Sequence, residues 1–83
     1  MSTETITIPA ETAAHVLWLF GQDGGYPPGS YSEALLSLIS RSDVKNTARF
    51  AAGFPAETAA VSLAKNDEQG IAKLRAIATG GAS

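Results

Sequence analysis

Cysteine is absent from the 83-residue chain. Without a thiol there is no disulfide staple, no thiolate zinc site and no cysteine nucleophile. Long apolar runs are missing too. The longest uninterrupted one is Val-Leu-Trp-Leu-Phe at residues 16–20, far short of the roughly 20 residues that a spanning helix needs. No basic cluster followed by an apolar stretch stands near residue 1, so no secretory signal is read there and a cytoplasmic location is expected. Clustered Lys and Arg are also lacking. Six basic against eight acidic side chains give a formal net charge of −2, and no row of cations is available to displace counterions from a phosphate backbone, which makes nucleic acid a poor partner. Histidine occurs once, at His15, with no second imidazole to complete a transition-metal site.

What is present reads as one small helical domain over residues 1–83, with an extended arm at 1–8 and a flexible tail at 79–83. A domain of this size buries a modest core, so its stability is expected to be a few kcal/mol. Residues 4–8 alternate Thr and Ile, the period of an extended segment, though too short a run to make a sheet alone. Pro9 then opens a first helix that ends at Gly21. Residues 22–29 hold three Gly and two Pro and form a long loop. Ser30 and Glu33 have capping-box spacing, and Tyr31, Ala34, Leu35, Leu38 and Ile39 fall on one stripe of a second helix.

Asp43 is an N-cap for a third helix, in which Val44, Thr47, Ala48 and Ala51 repeat that spacing up to Gly53. Pro55 starts a fourth, whose small-residue stripe Ala56, Ala59, Ala60, Leu63 allows a close neighbour. Asp67 is expected to cap a last helix with Ile71, Leu74, Ile77 and Ala78 inward. The fold class is therefore all-α, a small bundle of four to five short helices with an extended N-terminal arm. The hexapeptide Pro-Ala-Glu-Thr-Ala-Ala occurs at residues 9–14 and again at 55–60. It is read as one helix-start signal used twice, because the copies diverge at once and a repeat architecture wants at least three.

Six of the eight acidic side chains are accounted for by helix starts, which leaves Glu4 on the arm and Asp23 in the loop. Glu11, Glu33, Asp43, Glu57, Asp67 and Glu68 all fall at a cap or first turn, where orphan N–H groups and the macrodipole favour negative charge. Arg41, Lys65 and Arg75 fall toward helix C-termini, where a cation is favoured. His15 lies one turn after Glu11 and pairs with it. The Gly-rich loop has neither phosphate-binding nor dinucleotide spacing, and Asp23 alone cannot hold calcium. No catalytic residue, cofactor, metal or small-molecule substrate is nominated, and the chain is read as not an enzyme.

The segments Gly-Tyr-Pro-Pro-Gly-Ser-Tyr-Ser-Glu-Ala-Leu at residues 25–35 and Asn-Thr-Ala-Arg-Phe-Ala-Ala-Gly-Phe-Pro at 46–55 resemble short helical proteins of unknown function from actinobacteria and their bacteriophages. That resemblance covers under half of the chain. It implies a cytoplasmic protein of a high-GC bacterium or of a phage infecting one, and carries no catalytic residues over.

One feature exceeds what a core needs. The apolar residues 16–20 advance about 100° each and cover every side of the first helix. Either that helix is central and wrapped by the others, or part of it is a contact patch. The patch would be anchored by Val16, Trp18, Leu19 and Phe20, with Tyr26 and Phe54 beside them. The leading expectation is thus a non-enzymatic protein acting by protein–protein interaction, homo- or hetero-oligomeric. The alternative is a small helix-turn-helix DNA-binding regulator using the third and fourth helices.

Overall fold

A computed structural model describes residues 7–80. Among them are five helices: α1 (Ala10–Leu19), α2 (Ser30–Arg41), α3 (Val44–Gly53), α4 (Pro55–Asn66) and α5 (Gly70–Ala78). The described residues contain no strand. Most of the expected arm and three residues of the expected tail lie outside them, but Ile8 at the arm's end is buried in the core.

The helix boundaries follow local chemistry. Helix α1 stops where Gly21 adopts φ 70°, its N–H donating to the Trp18 carbonyl and that of Gln22 to Leu17, the Schellman closure that a left-handed Gly permits. Asp43 caps α3, its carboxylate accepting from the Asn46 N–H at 2.8 Å. The capping box at Ser30 does not form. Gly29 is the cap residue, with no side-chain bond, and Ser30 is already helical. Helix α5 likewise begins later than expected. Asp67 receives the Gln69 N–H at 2.8 Å, and a turn from Asp67 to Gly70 precedes the helix, leaving Glu68 before its first turn.

That delay has a packing reason. At Gly70 a Cβ would lie 1.7 Å from the Leu63 carbonyl oxygen, so α5 starts in direct backbone contact with α4. Only glycine fits there. The turn carries the chain to this contact before the helix begins.

Helix α4, not α1, is the hub. It touches all four other helices, whereas α1 touches α2, α4 and α5 but not α3. Its Ala56, Ala59, Ala60 and Ala64 keep its surface low, which lets neighbours approach from several sides. Helix α1 nonetheless supplies the largest share of the interior. Ala13, Ala14, Val16 and Leu17 are buried, and Leu36, Ile39, Ala60, Val61 and Leu74 close around them. One polar group is trapped in this interior: Thr58 is buried and its Oγ1 has no hydrogen-bond partner among the described residues.

Two expected core faces are turned outward. On α2 the buried side chains are Leu36 and Ile39, with Ser32, Leu35 and Ser40 half-buried, so the inward face is rotated by nearly one residue from the stripe read in the sequence. Ser40 tolerates that position because its hydroxyl donates to the Ser37 carbonyl at 2.7 Å. On α3 no residue is fully buried; Thr47 of the expected stripe faces inward together with Phe50, while Val44, Ala48 and Ala51 are exposed. On α5, by contrast, Leu74 is fully buried and Ile71, Ile77 and Ala78 pack against the core, as their spacing predicts.

Candidate functional site

The loop after α1 is fastened to the bundle rather than held away from it. Gly25 lies flat on α1, where a Cβ would come within 2.4 Å of the Ala14 oxygen and the Trp18 nitrogen. A side chain there would push the loop off. From α5, Arg75 Nε donates to the Asp23 carbonyl at 3.0 Å and Nη2 to the Gln22 amide oxygen at 3.4 Å. The guanidinium that the sequence assigns to a helix end therefore also ties down the loop. Tyr26 then stands edge-on to His15, ring centroids 5.2 Å apart and planes at 89°, a favourable aromatic geometry. Tyr26 is 51% exposed and Trp18, one turn beyond His15, is 37% exposed, so this corner shows one edge of aromatic surface to solvent.

Beside the corner is a cleft of about 180 Å³. Glu11, Thr12 and His15 of α1, Ser32 of α2 and Glu57 of α4 form its polar wall over Leu36. Glu11 and Glu57 hold equivalent places in the repeated hexapeptide. The helix-start signal, used on two helices that pack together, thus delivers both carboxylates to one groove, a convergence not expected from the sequence. Glu11 Oε2 is 4.0 Å from His15 Nε2 and largely in solvent, where water screens such a pair. No three His, Asp or Glu side chains among the described residues are placed to hold a metal ion.

Further large apolar side chains are exposed on α2 and α3. Tyr31 is 74% exposed, Leu38 47% and Val44 88%. Tyr31, Ala34 and Leu38 are spaced i, i+3, i+7, one seam along the outside of α2. The rotation of α2 creates this seam. Its sequence signal was present in the adjacent pair Leu35 and Leu36: a helix with apolar residues at 31, 34, 35, 36, 38 and 39 has more than one face can bury, the same excess recognised on α1.

Comparison with protein-family models, with curated proteins and with solved structures finds no match to this chain.

Of the residues nominated from the sequence, Val16 is withdrawn, because its side chain is fully buried in the core and cannot touch a partner. Leu19 and Phe20 are half-buried and packed against that core. Trp18 and Tyr26 remain at the surface on one corner. Phe54 does not join them: it is half-buried at the junction of α4 with α3, the helix that does not touch α1. The alternative helix-turn-helix reading concerns α3 and α4. Phe54 alone separates α3 from α4, where the motif uses a turn of about three or four residues. The would-be recognition helix is packed by every other helix and leaves Pro55, Lys65 and Asn66 as its exposed residues. No helix among the described residues is long and apolar enough to cross a membrane.

Proposed function

We propose that this chain is a non-enzymatic interaction module whose working surface is the outer face of α2. The observation that carries this reading is the exposure of Tyr31 and Leu38 on one seam of a helix whose opposite face is already satisfied by the core. Solvent-facing apolar residues at helical spacing, anchored by an aromatic, are the surface feature expected of a helix that packs against another protein. The Trp18 and Tyr26 corner is a second exposed patch. The carboxylates favour a structural use over catalysis: Glu11, Glu33 and Glu57 sit in first turns and Asp43 caps α3. The resemblance over residues 25–55 supports reading it as a cytoplasmic protein of an actinobacterium, encoded by the bacterium or by a phage infecting it.

Site-specific photo-crosslinking in the producing cells tests the reading. With p-benzoylphenylalanine in place of Tyr31, a discrete protein adduct is expected, and it should disappear when Leu38→Glu is added. The same probe at Lys73, an exposed residue of α5, should give none. Absence of an adduct at residue 31, or equal labelling at residue 73, would defeat the proposal.

A further inference from the structure

The loop at residues 22–29 rests on the bundle but is scarcely bonded to it. Between the Gln22 N–H, which donates to Leu17, and the Gly29 carbonyl, which accepts from Glu33, the loop makes no backbone–backbone hydrogen bond among the described residues. One hydrogen bond holds residues 23–28, from the Arg75 guanidinium to the Asp23 carbonyl. Further hold comes from contact, of Gly24 and Gly25 with α1 and of the Tyr26 ring with His15. Both ends of the loop have room to turn. At Gly21 and Gly29 an added Cβ would meet nothing within 4 Å, while Pro27 and Pro28 each fix a backbone torsion and stiffen the segment between. A stiff segment with little buried apolar surface and so few hydrogen bonds opens at a lower free energy than the helices that carry the core.

From this economy of attachment we infer that residues 22–29 form a strap that opens and closes as a unit on the folded bundle, with Arg75 as its latch. Closed, the strap shows Tyr26 beside Trp18. Open, it takes Tyr26 away from His15 and uncovers part of Leu17, a fully buried side chain against which Gly24 and Gly25 lie. The apolar surface of this corner is thereby set by a guanidinium on α5. The latch suits reversible use: Arg75 is exposed and belongs to no ion pair among the described residues. Both of its acceptors are uncharged, so the tie is weaker than a fork onto a carboxylate. The device is independent of the α2 face.

NMR of the full chain provides the test, with the His15 ring protons as reporters of the Tyr26 ring current and all spectra recorded at one pH. Tyr26→Leu gives their position with the stack removed. Arg75→Met keeps the aliphatic stem beside Gly24 but deletes both donors, and losing a charge-assisted hydrogen bond favours the open strap about tenfold. The His15 resonances of Arg75→Met are therefore expected to move toward those of Tyr26→Leu. In the double variant R75M/Y26L they should match Tyr26→Leu alone, and in Lys73→Met they should stay at the wild-type position. The bundle should remain intact, its thermal transition in Arg75→Met cooperative and lowered by no more than about 4 °C. Unmoved His15 resonances in Arg75→Met overturn the latch. Movement of the Gln22–Gly24 amides without movement at His15 overturns opening as a unit, and a larger fall in the melting temperature overturns opening on a folded bundle.

Discussion

Helices α1, α4 and α5 form one region of the molecule and α2 with α3 another, and they treat apolar surface in opposite ways. The first region contains the backbone contact at Gly70 and most of the fully buried side chains. The second contains Tyr31, Leu38 and Val44, the most exposed aliphatic or aromatic positions apart from Tyr26. Yet the sharpest segregation of apolar from polar residues belongs to α2 and α3, and α1 has the weakest. A clean amphipathic stripe thus says that a helix has a face to cover, not that its own domain covers it. Helices α1 and α4 are buried from several sides because they have neighbours there, whereas α2 and α3 lie at the periphery of the hub.

The contrast is most severely broken at Gly70→Ala. The new methyl would occupy the position of the Leu63 carbonyl, and α4 and α5 would have to separate. A loss beyond about 4 kcal/mol is expected, comparable with the whole stability of so small a domain, and thermal circular dichroism should show no cooperative transition.

Within α2 the two faces can be compared using one residue type. Leu36→Ala removes a buried side chain and is expected to cost about 2–5 kcal/mol. Leu38→Ala, two residues away, should change monomer stability by no more than about 0.5 kcal/mol. Urea denaturation of the dilute proteins would show the difference as a shift in midpoint, and equal shifts would contradict the assigned rotation of α2.

At the joint of α2 and α3, Asp43→Ala removes the one side-chain cap in the peripheral region, a loss of about 1 kcal/mol measurable in the same titration. In the hub the sign reverses. Thr58→Val keeps the shape and deletes the unpaired hydroxyl, so stability should be unchanged or rise by up to about 1 kcal/mol. A fall of that size would indicate that Thr58 Oγ1 has a partner after all.

The smallest effect concerns pH. The Lys73 ammonium, 2.7 Å from Asp67 Oδ2, and the Gln69 N–H hold the Asp67 carboxyl below its ordinary range. A carboxyl lowered on folding stabilises above its unfolded pKa, and that contribution fades as pH falls through the lower folded value. Lys73→Met should move the Asp67 midpoint upward in a carboxylate-detected NMR titration. The shift should shrink with added salt, because the pair is accessible to solvent.

The sequence alone determined the helical class, a count of four to five helices and most of their ends, because those follow from local chemistry: Gly21 can turn left-handed, Asp43 can cap, and Pro55 suits the first turn of a helix. It also determined that apolar residues exceeded the needs of one core, which turned attention to surfaces. Only the tertiary structure decided where the excess lies. The stripe of α2 spans more than one face, and its rotation is set by the neighbours it packs on, which hide Leu36 and expose Leu38. The same reason explains the cleft: Glu11 and Glu57 each read correctly as a first-turn carboxylate, but their sharing one cleft depends on α1 and α4 packing side by side, which no local pattern encodes for residues 46 apart.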